Sequence, residues 1–515
     1  MNQTPAPLLG TLSPDQSART AVVMGGSGRS LTFGELEEQS LRIAHLFDSL
    51  GLRRGDHVAL LMENGLEVFP VAWAAQRSGL FYTPVNWHLT AAESRYIIDN
   101  CDARVLVHTS GLRELAAEVL ASGTQVEHHF LAGDGDPLPG GRRLAEAAAA
   151  FEATPRVCEE EGHPMLYSSG TTGRPKGIVP ELPGEPFGSG LPIDKLMAGL
   201  FGFGPTSVYL STGPLYHAAP LAWSIGANHL GGTVVAMETF DAERALQLIE
   251  QHQVTHAQFV PTMFVRMLQL HEETRSRHRV DSLEQVIHAA APCAPDVKRA
   301  IIDWLGPVVT EYYAGSEVNG FCTLTTAEWL DHPGSVGRAV LGEVHVCGPD
   351  GQELPAGEIG QVWFSGSRPF EYHRDPDKTA AAFNAQGWST LGDLGHLDED
   401  GYLHLSDRRT DLIVSGGVNI YPREVEDALC LHPDVRDLAV VGVPDPDLGH
   451  RVHAVIELRD GLTPSPELEA ALDAHLRERI AGFKVPRSYS WGEVPRLPSG
   501  KVLRRVLMEE LANTA

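Results

Sequence analysis

The stretch "LYSSGTTGRPKG" (residues 166–177) places four serine and threonine hydroxyls, three glycines and a lysine within twelve residues. Glycines permit tight turns and leave backbone N–H groups unshielded. Ser168, Ser169, Thr171 and Thr172 add hydroxyl donors around Gly170 and Gly173, and Lys176 and Arg174 add positive charge. Successive amides of this kind form a nest for anions, so the chemistry on offer is a cradle for a polyanion such as a triphosphate. It is not a Walker loop, which needs Gly-Lys followed at once by Ser or Thr. Here Lys176 lies between Pro175 and Gly177. The apolar lead-in "PMLY" (164–167) reads as a short strand feeding the loop. On residue types alone, a polar surface loop and a phosphate site both stand.

Four further stretches carry reactive side chains. "PLYHAAP" (214–220) holds His217, and "TEYYAGSE" (310–317) holds Tyr313 and Glu317. "GWSTLGDLGHLDEDGYLHLSDRRTDLIVSGGVNIYPREVE" (387–426) holds Asp393 and Arg408, and "PRLPSGKVLRR" (495–505) holds Lys501. Taken singly, each has a plain structural reading: Glu317 a surface acid, Asp393 a turn residue, His217 and Tyr313 core residues, Lys501 a solvated lysine, Arg408 a partner of Asp407 or Asp411.

The five stretches together, in this order, resemble the adenylate-forming superfamily of acyl-CoA synthetases, firefly luciferases and peptide-synthetase adenylation domains. The resemblance covers nearly the whole chain, and "SSGTTGRPKG" is specific to that superfamily. It implies that Ser168, Ser169, Gly170, Thr171, Thr172, Gly173 and Lys176 hold the β- and γ-phosphates of ATP, with Thr172 close to the chemistry. Tyr313 would lie against adenine, Ser316 would contact the α-phosphate, Glu317 would bind Mg²⁺, and Asp393 and Arg408 would contact the ribose. Ala290, Ala291, Pro292, Glu311, Tyr312 and Ala314 would complete the nucleotide site. Lys501 would bridge the substrate carboxylate and the α-phosphate. His217 would border the acid tunnel, with Trp223, Ala289, Gly315, Ser415, Gly416 and Gly417 along the acid and coenzyme A path. The implied activity is ATP-dependent acid–CoA ligation through an acyl-adenylate, with ATP, Mg²⁺ and coenzyme A. Two alternatives keep different ends: another acceptor (a carrier-protein thiol, or nitrite activation and diazotisation of an arylamine), and a catalytically inactive nucleotide-binding module.

The roles make physical sense. A carboxylate attacking a phosphate brings two anions together, so positive charge is needed where negative charge accumulates. Small residues at Ala289, Ala290 and Ala291 leave room for a bulky or long hydrophobic acid: fatty, aromatic or terpenoid. Two departures stand out. Where relatives place Asp or Lys as hinge pivot, this chain has Thr410, with Arg409 as a neighbouring candidate. Ala314 replaces the glycine often found before the hydroxyl–Glu pair, narrowing the floor of the site. Residues 178–192 and 84–107 also resemble a subgroup of bacterial acyl-CoA synthetases.

The rest of the chain must position these groups. At 515 residues it exceeds one core, and 43% apolar with 21% charged residues is ordinary globular composition. A formal net charge of −27 argues against nucleic acid or anionic membrane as main partner. Six scattered cysteines without a Cys-x-x-Cys pair fit a reducing cytoplasm and no zinc site. No signal peptide and no membrane span is expected, and a homodimer is the default oligomer.

Helical spacing predicts helices over 33–51, 68–79, 91–100, 144–153, 242–252 and 295–306, alternating with apolar strands at 57–64, 103–109, 207–212, 232–237, 256–261, 285–291 and 308–313. Such alternation implies parallel sheets flanked by helices. The expected class is α/β: a large N-terminal domain (1–406) with a small β-barrel over about 334–406, a hinge at 407–410 and a mobile α+β C-terminal domain (411–515).

Overall fold

A computed structural model describes residues 13–514 except 169–174, 367–369, 409–410, 417, 446 and 498–499. Contacts divide the chain into two compact units. The first takes Met1–Gln258, His278–Gln285 and Phe370–Thr379; the second takes Phe259–Arg277, Val286–Pro369 and Ala380–Ala515.

The first unit contains a six-stranded sheet ordered Arg142–Arg143, His128–Ala132, Ala103–Thr109, His57–Leu61, Phe81–Pro84 and His163–Pro164. All of its pairings are parallel. Strands covered on both faces read as unbroken apolar runs, and Val58, Ala59, Leu60 and Leu61 are all buried. The expected helix over 33–51 is present as Phe33–Ser49. Thr32 caps it by accepting from Glu35 N–H, and the Glu35 carboxylate accepts from Thr32 N–H in return. Its Leu36, Leu41, Ala44 and Phe47 are buried. A second layer runs Ser30–Thr32, Thr20–Met24, Thr233–Ala236, Val208–Ser211, His256–Phe259, parallel except for the first pair.

Two local expectations change. The alanine-rich stretch 144–153 forms a helix only over Leu144–Ala148. Conversely, Ala218–His229 is a twelve-residue helix with no sequence signal. Leu221, Trp223 and the whole run from Ser224 to His229 are buried. A helix enclosed on nearly every side has no polar stripe for a 3.6-residue period to reveal.

In the second unit, Gln285–His288 pairs in parallel with Val309–Ala314, which continues antiparallel to Phe321–Leu324 and Arg338–Leu341. The β-rich region expected over 334–406 is an antiparallel four-stranded sheet: Glu343–Cys347, Gly360–Ser365, Asp393–Leu397, Leu403–Arg408. Among the described residues its two end strands are not paired with each other. Beyond it, long antiparallel strands Val435–Asp445 and Gly449–Leu458 carry Pro422–Leu429 and Pro466–Arg477. Val440, Ala454, Ile456, Leu472 and Leu476 form their shared core.

Candidate active site

In the first unit, the strands Leu166–Ser168 and Lys176–Val179 pair antiparallel, with Lys176 opposite Ser168 and Gly177 opposite Tyr167. The two ends of the hydroxyl-rich loop are therefore pinned side by side. Ser169, Gly170, Thr171, Thr172 and Gly173 lie outside the described residues, and Ser168 is described by its backbone alone. Gly177 is required by close approach: a Cβ there would sit 2.8 Å from Met165 Cε and from the Tyr167 ring. The Lys176 ammonium lies 4.8 Å from the centroid of the Tyr372 ring.

His217 stands at the start of the helix Ala218–His229. Burial, and then the neighbouring His88, push its pKa down to about 4. The ring is thus a neutral hydrogen-bonding group rather than a cation. Its Nε2 is buried without a hydrogen-bond partner among the described residues, and the Tyr216 ring packs at 4.6 Å. The loop that presents it is held by Asn64, a residue the motif reading missed. Asn64 Nδ2 donates to the carbonyls of Gly213 (3.1 Å) and Met237 (2.8 Å), and its Oδ1 accepts from Leu215 N–H at 2.7 Å. Asn64 ends an apolar run in the sequence, and nothing there signals partners about 150 positions away. Trp223, expected along the acid tunnel, is 2% exposed and packs edge-on against Phe201 and Phe203, as a core residue does.

In the second unit, three residues expected at the nucleoside come together. Tyr313 Oη donates to Asp393 Oδ2 at 2.6 Å, and Asp393 faces Arg408 directly across two paired strands. Asp393 is buried, and the side chain of Arg408 lies outside the described set. Tyr312 points elsewhere, stacked on Phe321 with ring centroids 4.9 Å apart.

Glu311, expected to complete the nucleotide site, turns its carboxylate into the protein interior. Its carboxylate accepts from Lys298 Nζ at 2.5 Å inside the protein, with His288 Nε2 3.5 Å away. Lys298 also lies 5.1 Å from the Trp329 ring centroid. Burial, with the Lys298 charge second, keeps His288 neutral. The pair anchors the root of the strand Val309–Ala314, whose other end carries Tyr313.

The turn after that strand is tight. A Cβ on Gly315 would lie 2.5 Å from Leu391 Cδ1 and 2.8 Å from Glu317 Oε2, so the glycine is what lets the Glu317 carboxylate fold back there. Val318 follows at φ 52, and Ala290, after the strand Gln285–His288, has φ 74. Left-handed backbone at non-glycine residues is held only where its surroundings enforce it. Ala290 lies within a stretch expected to line the nucleotide or acid, and Val318 directly follows one. Ala289 is buried, whereas Ala290 and Pro292 are exposed and Ala291 is half-buried.

Lys501 sits in a hairpin in which Leu497 N–H donates to the Lys501 carbonyl at 2.8 Å. The Gly500 position that would carry a Cβ lies 2.6 Å from Thr262 Oγ1, at the start of the helix Pro261–Leu268. The lysine turn therefore packs back on a segment more than 200 residues earlier in the chain. Ser415 and Gly416 stand at the tip of the hairpin Ile413–Ser415/Val418–Ile420; Gly417, Arg409 and Thr410 lie outside the described residues.

Residues 13–371 match the family model described as AMP-binding enzyme, and residues 424–501 match the AMP-binding enzyme C-terminal domain. The chain belongs to the AMP-binding enzymes. Among relatives of this AMP-binding enzyme, a fatty acid–[acyl-carrier-protein] ligase, ScoC, of Streptomyces coeruleorubidus is 32% identical, over 94% of this chain and 92% of its own length. A feruloyl-CoA synthase of Amycolatopsis sp. is also 32% identical, over 94% of each chain. The solved structure of the amide bond synthetase McbA from Marinactinospora thermotolerans superposes with a TM-score of 0.80 at 29% identity, covering 96% of this chain and 98% of that one. The names of these relatives differ in acid and in acceptor.

Proposed function

We propose that this AMP-binding enzyme is an ATP-dependent acid–CoA ligase. A carboxylate oxygen of a hydrophobic acid attacks the α-phosphorus of ATP, pyrophosphate leaves, and the thiol of coenzyme A then displaces AMP from the acyl-adenylate. The observation that carries the reading is the Tyr313–Asp393 hydrogen bond, with Arg408 as cross-strand neighbour. It joins residues 80 positions apart that the superfamily resemblance assigns to one nucleoside.

In this reading Asp393 accepts from the ribose hydroxyls and Tyr313 lies against the base, where an aromatic face is favourable and cheap to order. Ser316 contacts the α-phosphate. Lys176 and its loop meet the β- and γ-phosphates. Lys501 lies between the two anions as they approach, stabilising charge that builds only in flight. Neutral His217 borders the acid without adding a charge of its own. Glu317 is the residue that would hold Mg²⁺: its carboxylate is the hard oxygen donor that ion takes, and one carboxylate completed by phosphates and water is a common shell. When bound, the cation would neutralise charge on the phosphate oxygens. No described helix is long and apolar enough to cross a membrane. We place the enzyme in the cytoplasm, where its thiol and nucleotide substrates are found.

A second reading changes only the acceptor, to a carrier-protein thiol, and is favoured by the 32% identity to ScoC. Incubating the enzyme with ATP and acids of graded length and ring content, with and without coenzyme A, distinguishes the two by product mass. A CoA thioester is expected. Pyrophosphate release with no thioester for any acid would move the reading to another acceptor. Lys501→Ala should lower acid-dependent pyrophosphate release by at least ~10²-fold, as loss of a charge stabiliser does, with MgATP still bound. An unchanged rate removes Lys501 from the chemistry.

A further inference from the structure

Lys176 carries its charge on a four-carbon stem, which by itself leaves the ammonium mobile. Its backbone is held on both sides. Leu166–Ser168 pairs along one edge of Lys176–Val179, and Glu371–Tyr372 pairs along the other, with Ile178 opposite Tyr372. His373 N–H donates to the Gly177 carbonyl at 2.7 Å. The side chain ends over the face of Tyr372 at 4.8 Å, within the range in which a ring quadrupole attracts a cation.

Tyr372 is itself built in. It is 8% exposed, packs edge-on to Phe370 at 5.4 Å, and its N–H donates to Thr379 Oγ1 at 3.0 Å. Thr379 in turn closes a turn onto Asp375, whose carboxylate pairs with Lys378 at 2.6 Å. The Lys378 hydrogen bonds, and more weakly the Lys176 charge, hold the Asp375 carboxyl below its usual range. The segment Phe370–Thr379 belongs to the first unit, although the chain on either side of it belongs to the second. Nothing in the five motifs marks it.

We propose that Tyr372 is a positioning residue for ATP, its ring face holding the Lys176 ammonium where the β- and γ-phosphates arrive. The proposal rests on the reading above that Lys176 serves those phosphates. It separates the two ends of the nucleotide: weakening the ring's hold should be felt by ATP and not by AMP, which lacks both phosphates.

The test uses the full chain and calorimetric binding of MgATP and of AMP, so it does not require the acid to be known. Lys176→Met should weaken ATP and spare AMP. Tyr372→Leu should weaken ATP by about 2- to 30-fold, the span that cation–π attraction covers from exposed to desolvated sites. Tyr372→Phe, which keeps the ring, should stay within about twofold of the parent. Phenylalanines of increasing fluorine content at 372 keep the shape and drain the negative face. ATP affinity should fall stepwise along that series, which holds even if Tyr372→Leu fails to fold. Adding Tyr372→Leu to Lys176→Met should cost ATP nothing more. A flat fluorine series, equal losses for ATP and AMP, or additive losses in the double variant would overturn the proposal while leaving the role of Lys176 intact. Unchanged ATP binding in Lys176→Met would overturn both.

Discussion

Lys298→Met would strand a carboxylate. Lys298 and Glu311 have side-chain exposures of 1% and 6%, and their charged atoms meet at 2.5 Å. Removing one member of such a pair leaves an uncompensated buried charge, which costs about 3–5 kcal/mol. Replacing both, as Lys298→Met with Glu311→Leu, removes charge and counter-charge together and should be neutral or stabilising by about 1–4 kcal/mol. Urea unfolding followed by tryptophan fluorescence measures this, because Trp329 lies 5.1 Å from the lysine ammonium. The single variant should show a clearly lower midpoint and the double variant a recovered one. The same pair decides what Glu311 is for. If its carboxylate is an internal anchor, the folded double variant should bind MgATP within about threefold of the parent, a difference below 1 kcal/mol. A double variant that is as stable as the parent but binds ATP more than about tenfold less tightly would show that the carboxylate does reach the nucleotide. A single variant costing under about 1 kcal/mol would show that the charge is not buried in the sense required.

Other outcomes follow from single residues. His217 titrates near 4 when folded against 6.5 ordinarily, so the unfolded chain takes up the proton first; its contribution to stability is complete above pH 6.5 and is lost as pH falls toward 4. The loss amounts to about 3 kcal/mol, and His217→Gln should flatten that part of a pH–stability curve; an identical curve would contradict the burial. Gly315→Ala should leave the fold intact yet displace Leu391 and the Glu317 carboxylate, lowering pyrophosphate release by up to about 10²-fold, as small misplacements at a reacting centre do. A variant of unchanged rate would mean that the Glu317 carboxylate need not sit there. Ala290→Gly should relieve the left-handed backbone for a net gain of about 0.5–1 kcal/mol in thermal unfolding, after the entropy that glycine adds to the unfolded chain. A loss would show that Ala290 is unstrained.

Much of this enzyme is local in its chain and therefore readable. The hydroxyl-glycine loop, Glu317, Asp393 and Lys501 stand in short stretches whose order along the chain resembles that of the adenylate-forming superfamily, and it is that resemblance that implies nucleotide chemistry. Strands buried on both faces announce themselves as apolar runs, and amphipathic helices such as Phe33–Ser49 by their period and caps. Where the signal depends on a contrast between two faces, it fails when both faces are buried, as in Ala218–His229. Side-chain partnership is the other thing no stretch encodes. Glu311 looks no different from Glu317 along the chain, yet one carboxylate is enclosed against Lys298 while the other folds back over Gly315. Asn64 and Tyr372 lie outside every motif and acquire meaning only from what packs against them. The sequence by itself determined the kinds of reactive group and their order, because those depend on covalent neighbours. Only the tertiary structure decided which groups are held, aimed or withdrawn, because burial and pairing arise between residues that the chain keeps far apart.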